Sequence, residues 1–164
     1  VSPAFKVGGP VTAGCAWGPE FIRFCATNHA PVDFISTHDY CVDSGYLDEN
    51  GNAGTVFSQT PKGIYGNVIR VRKQIRDSAM PNLELHFTEW SASYTPFDPI
   101  HDSYHSAAFI LDKIKNAGAA ADSMSYWVFT DIFEEAGPRW TPFHGGFGVM
   151  PGLDERRPVV GCIQ

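Results

Sequence analysis

Apolar residues fall along this chain in two rhythms. Four short runs are rich in apolar and β-branched residues, at 6–11, 32–40, 83–90 and 123–130, the third alternating with polar ones. Runs of that length, bounded by turn residues, read as buried strands. Between them the spacing changes to steps of three and four. Phe21, Ile22, Phe24 and Cys25 follow Pro19-Glu20; Ile64, Val68, Val71 and Ile75 form a second stripe; Tyr104, Ala107, Ala108, Leu111 and Ile114 form a third. Each stripe predicts the apolar face of a helix. The punctuation agrees. Pro19 and Pro99 stand where a first helical turn tolerates proline, Asp98 is placed to cap, and Asn28 and Gly118 are placed to stop. Two stretches break the rhythm. Gly8-Gly9-Pro10 predicts that the first strand gives way to a glycine-rich turn, and 43–60, rich in Gly, Asn and Asp, predicts a long polar loop of functional or mobile type.

The predicted order is strand, helix, strand, helix, strand, helix, strand. Short strands joined by helices pair in parallel through right-handed crossovers, which makes the class α/β. Polar and aromatic residues gather after the strands rather than before them. His38, Asp39 and Tyr40 follow the second, Glu89 and Trp90 the third, and Asp131, Glu134 and Glu135 the fourth. Active sites of (β/α)8 barrels and of open doubly wound sheets both lie at that carboxyl-terminal end. A doubly wound sheet more often brings a phosphate-binding turn, and Gly8-Gly9 fits neither of the glycine-rich phosphate motifs. An ionised carboxylate closing an apolar strand needs partners or a chemical task, which singles out Glu89. A glutamate that simply reaches solvent is the plainer alternative.

Composition narrows the function classes. With 164 residues, 12 Phe, 6 Tyr, 4 Trp and only 18% charged residues, the chain suits one domain with a large core and aromatics left for a cleft. Disorder is excluded on the same grounds. A net charge of −6 argues against a nucleic-acid groove. The basic cluster Arg70, Arg72, Lys73 and Arg76 falls on the second helix, where a solvated outer face is expected. No apolar run approaches the roughly 20 residues that span a bilayer, so no membrane contact is expected. No secretory leader opens the chain; it begins at Val1 rather than Met, which leaves cytoplasmic and secreted locations both open. Cys15, Cys25, Cys41 and Cys162 show no C-x-x-C pairing, so buried thiols are expected, with one disulfide left open. His101 and His105 are four apart, but no acidic residue stands in the H-E-x-x-H place, and the pair is assigned to an outer helix. No metal and no cofactor is implied.

Four segments then acquire a specific likeness. Phe87-Thr88-Glu89-Trp90-Ser91-Ala92-Ser93-Tyr94, Asp98-Pro99-Ile100-His101-Asp102, the run from Ser125 through Trp127 and Asp131 to Glu135, and Pro142-Phe143-His144-Gly145-Gly146-Phe147-Gly148 resemble glycoside hydrolase family 39. That family contains β-xylosidases and α-L-iduronidase, and the likeness is greater to the bacterial β-xylosidases. The resemblance implies a (β/α)8 TIM barrel of which the four strands here are the fifth to eighth, and hydrolysis with retention. It implies Glu89 as the nucleophile, His38 and Tyr40 as sugar contacts, and Trp127, Glu134 and Glu135 as the wall closing around the glycone. Tyr94 and Phe133 are further implied contacts. Trp90, Tyr94, Trp127 and Phe133 suit a stacking wall, with barrel core as the alternative for each. Iduronate would demand cations, and only Arg139 lies near the implied cleft, so the expected substrate is a small xylo-oligosaccharide or xyloside.

The chain also departs from the family. The family's acid/base glutamate lies in an Asn-Glu-Pro motif after the fourth strand, and none occurs here; Glu20 and Glu49 are the only glutamates before the Glu89 strand. Residues 156–162 begin where the last helix should be. The expectation is that 1–164 form one partial barrel, lacking the first half and the end of the last helix. Either the missing N-terminal half or a second chain would complete it, since open strand edges invite association. Without its general acid the chain alone is expected to be weakly active or inactive. A non-catalytic sugar-binding or assembly module is the alternative.

Overall fold

The computed structural model describes residues 2, 4–47, 50, 53–57, 62–131, 141 and 143–150. In chain order the elements are β1 (Gly8–Thr12), α1 (Gly18–Asn28), β2 (Phe34–Tyr40), β3 (Val42–Leu47), β4 (Ala53–Phe57), α2 (Tyr65–Arg76), β5 (Glu84–Ser91), α3 (Tyr104–Ala117) and β6 (Ser123–Tyr126). Short 3-10 turns stand at Ala13–Cys15, Pro99–Asp102 and Gly118–Ala120. The chain divides into two compact units. One gathers β1, α1, β2 as far as Asp39, α2, β5 as far as Trp90, and 116–125. The other gathers β3, β4, the segment 91–115 and the described residues from Tyr126 onward.

The first unit is a sheet with helices packed on it. Its strand order is β1-β2-β5-β6. β1 runs parallel to β2, with Gly8 opposite Phe34 and Thr12 opposite Thr37. β2 and β5 also run the same way, because Glu84 N donates to Asp33 O near their starts and Cys41 N to Ser91 O near their ends. The α/β class and the parallel pairing are as the alternation predicted. The core holds Ile22 and Cys25 of α1, Ile64, Val68, Val71 and Ile75 on the α2 stripe, Ile35 of β2, and Leu85 and Phe87 of β5. Burying each such aliphatic chain stabilises by about 1.5–3 kcal/mol. Among the described residues no helix is long and apolar enough to cross a membrane.

Several expectations are corrected. The first strand does not break at the glycine pair. β1 runs through it to Thr12, and a Cβ on Gly8 would stand 2.3 Å from Phe34 O, so the glycine serves close strand packing. The stretch read as one long polar loop contains an antiparallel hairpin, in which Val42 pairs with Phe57 and Leu47 with Ala53. Asp43, Gly45 and Gly54 stand within these strands, which is why the stretch reads as a loop. The fourth predicted strand stops at Tyr126, and Thr130 makes only an isolated parallel bridge with Met150. On α2, Arg72 is not solvated: it donates to Ala120 O and Leu83 O and pairs with Asp122.

α3 is turned from its expected face. Tyr104, Leu111 and Ile114 are exposed, whereas Ser106, Ala107, Ile110, Lys113 and Ala117 are buried. Asp98 does cap, but it caps the 3-10 turn by accepting from Ile100 N at 3.1 Å.

Candidate active site

In the first unit β5 alternates as a half-buried strand must: Leu85 and Phe87 are fully buried, while Glu84, His86 and Thr88 are not. Glu89 comes near its end. Its Oε2 lies 3.4 Å from Nδ1 of His38, which stands near the end of the neighbouring β2; the two side chains are 27% and 18% exposed. That spacing fits an ion pair and is long for an N–H···O bond. Glu89 therefore has a neighbour in His38 while remaining partly open to solvent.

In the second unit Tyr40 closes β2 and meets Tyr94 edge to face, with ring centroids 6.2 Å apart and planes at 87°. Tyr94 is 47% exposed and offers an open ring. Trp127 follows β6 directly and is half-buried. Trp90 is not part of any stacking wall: it is buried core. Phe133, Glu134, Glu135 and Arg139 lie outside the described residues, as do Glu49 and Cys162.

The loops that present these aromatics are held by buried polar side chains. His101 Nδ1 lies 2.7 Å from Gly145 O and Nε2 3.2 Å from Ser93 O. Asp102 accepts from Gly145 N at 2.5 Å, and Asp131 accepts from Gly148 N at 2.6 Å. Asp131 is thus a loop anchor rather than part of a solvated acidic loop. Ser91 Oγ donates to Tyr126 Oη at 3.3 Å. The sequence reading passed over His101 in this role, because a contact with carbonyls 8 and 44 residues away leaves no local pattern.

A second polar row on the first unit's sheet was not foreseen. Lys6 pairs with Glu84, whose Oε2 lies 3.3 Å from His86 Nε2, and His86 Nδ1 lies 2.8 Å from Ser123 Oγ. The Lys6 hydrogen bond holds the Glu84 carboxyl below the usual carboxylate range and raises Lys6 in turn. Cys15, Cys25 and Cys41 are buried as thiols. Burial pushes Cys15 up to about 12. Among the described residues no group of three or more His, Cys, Asp or Glu could hold a metal ion, and His105 instead stacks on Tyr104 with centroids 4.1 Å apart.

The whole chain, residues 1–164, matches the family described as Glycosyl hydrolases family 39. A β-xylosidase of Caldicellulosiruptor saccharolyticus is 42% identical over 151 residues, 92% of this chain and 30% of that protein. Two crystal structures superpose closely. A monomeric β-xylosidase from Caulobacter crescentus has a TM-score of 0.92 at 49% identity, over 98% of this chain and 33% of that one. The GH39 enzyme from Xanthomonas axonopodis pv. citri has a TM-score of 0.93 at 54% identity, over 98% of this chain and 32% of that one. The chain therefore spans about a third of the length of these relatives. With the same parallel sheet, the same fold and a match along its full length, it belongs to glycosyl hydrolase family 39.

Proposed function

We propose that this chain is the nucleophile-bearing part of a retaining, β-xylosidase-like glycoside hydrolase, contributing the fifth to eighth strands of a (β/α)8 barrel. One observation carries the reading: Glu89, near the end of β5, has its carboxylate beside His38. In this scheme Glu89 Oε attacks the anomeric carbon of a xyloside, the aglycone oxygen leaves with a proton from a second carboxyl, and water then releases the sugar. The two carboxyls of a retaining enzyme stand about 5–5.5 Å apart. No Asn-Glu-Pro occurs in these 164 residues, so the acid/base would come from elsewhere in the barrel. Tyr40, Tyr94 and Trp127 would contact the sugar, together with Phe133, Glu134 and Glu135. The β-xylosidase names of the relatives support a xyloside or short xylo-oligosaccharide as substrate.

The first unit leaves β1 at the sheet's edge, beside an α1 flank where Trp17 and Phe24 are exposed. A groove of about 560 Å³ lies there, lined by Pro10, Trp17, Phe21 and Phe24 among others. It suits a further strand–helix unit, from the remainder of a longer polypeptide or from a second chain. The test is a 2-deoxy-2-fluoro-xyloside bearing a good leaving group, with the chain in its complete polypeptide. An adduct mapped to Glu89 and abolished by Glu89→Gln is expected. Saturable sugar binding with no adduct would overturn the reading in favour of a non-catalytic sugar-binding module.

A further inference from the structure

The end of β2 is gripped on every residue around His38. Thr37 Oγ1 donates to Thr12 O at 2.6 Å, and Cys15 Sγ lies 3.9 Å from His38 O. Asp39 is 5% exposed, a buried carboxylate that accepts from Asn67 Nδ2 at 2.9 Å. Asn67 belongs to the first turn of α2, whose N-cap, Ile64, supplies no side-chain bond, so Asp39 also complements the positive end of that helix. Asn67 Oδ1 in turn accepts from Arg70 Nε at 3.2 Å and Nη2 at 3.1 Å. The relay Arg70, Asn67, Asp39 therefore ties a helix to the residue that follows His38.

A buried carboxylate is costly unless it is paired and hydrogen-bonded, as Asp39 is to Asn67. A core position there would be served more cheaply by an aliphatic residue. We propose that Asp39, held by Asn67 and Arg70, is a positioning residue that sets the backbone of β2 so that the His38 ring meets Glu89. The proposal deepens the nucleophile reading above and rests on it for its kinetic consequence, though not for its geometric one.

The test compares Asp39→Ala, Asn67→Ala and Asp39→Asn in the complete polypeptide. Three quantities are read: the melting temperature, the ring ¹⁵N shifts of His38 with and without Glu89→Gln, and the rate of fluoro-xyloside adduct formation. In Asp39→Ala and Asn67→Ala the response of the His38 ring to Glu89→Gln should shrink, and labelling should slow by about 10- to 100-fold, as expected for a misplaced reacting group. Asp39→Asn keeps an acceptor for Asn67 Nδ2 and should restore most of both. Variants that melt lower yet keep the wild-type His38 response and labelling rate would overturn the proposal. If Asp39→Ala does not fold, Asn67→Ala carries the same decision, because it breaks the bond without baring a cavity at β2. If even the wild type takes no label, the nucleophile reading fails, and the His38 shifts alone decide the clamp.

Discussion

In the unit built on β1, β2 and β5, the fully buried side chains are mainly Ile22, Ile35, Val68, Ile75, Leu85 and Phe87; in the unit built on β3, β4 and α3, Ser91, Ser93, His101 and Ser106 are buried as deeply as Ala107 and Ile110. The first buries more of the large apolar side chains, whose contribution is non-directional, although Ser36, Thr37 and Asp39 are buried there as well. The second is held by hydrogen bonds between side chains and loop backbone, each with one correct geometry. The contrast follows the division of labour. A sheet needs only to present Glu89 and His38 from adjacent strands, whereas the loops must fix aromatics that no ladder supports.

The largest expected effects test this contrast directly. Phe87→Ala should cost about 3–5 kcal/mol in urea unfolding, from lost transfer energy plus a cavity. His101→Leu preserves bulk but leaves whichever of Ser93 O and Gly145 O the ring N–H serves without its donor, at about 1–3 kcal/mol. The two should also differ in kind. Amide exchange at Gly145, which donates to Asp102, should rise in His101→Leu well beyond what its loss of stability explains, and should follow global unfolding in Phe87→Ala. Equal behaviour at that amide would erase the distinction between the units.

The same contrast explains what the sequence announced. The α2 stripe and the alternation in β5 are local periodicities, and Ile64, Val68, Val71 and Ile75 are buried as their spacing predicted. Glu89 and His38 were legible because each stands near the end of an apolar run, and parallel pairing brings such ends together. In the other unit, α3 buries Ser106 and Lys113 and leaves Tyr104 and Leu111 exposed, against its apolar stripe. The β3–β4 hairpin was hidden by its polar composition, and the role of Arg72 by its charged neighbours. Long-range polar contacts have no period to read.

Two glycines give a sharper version. Gly118, in the first unit, has φ +50 with open space at its Cβ position; Gly145, in the second, has φ +76 with Phe97 C only 2.3 Å from that position. Gly118→Ala should therefore cost about 1 kcal/mol, the left-handed backbone penalty alone. Gly145→Ala adds a backbone collision and should cost about 2–5 kcal/mol, since overpacking contributes about 1–3 of its own. Similar losses in calorimetry would mean that the loop yields, and that the second unit is less closely fitted than its buried anchors require.

Charge in the first unit has a smaller, pH-gated part. The Leu85 amide first, then Arg72, hold the Asp122 carboxyl below its ordinary value. A carboxyl with a lowered folded pKa stabilises above the unfolded value, near 4, and loses that contribution as pH falls through the folded value. Asp122→Asn should thus be less stable than the wild type at neutral pH, with the gap closing as the pH drops below about 4. A gap unchanged down to pH 2 would show that shape, not charge, ties the start of β6 to α2.

The smallest expected effect concerns Cys15, where burial comes first and Asp39 second in pushing the thiol up to about 12. An unfolded cysteine ionises near 8.5, so between that value and 12 the folded state binds the extra proton and stability falls as pH rises. At pH 8 the consequence is kinetic rather than energetic. Alkylation read by peptide mapping should spare Cys15 in the native protein and reach it only as urea opens the first unit. Its labelling should then track the unfolding that Phe87→Ala accelerates, and should be slower to follow His101→Leu. Prompt native labelling of Cys15 would mean that the gripped end of β2 opens on its own, without unfolding of the apolar unit.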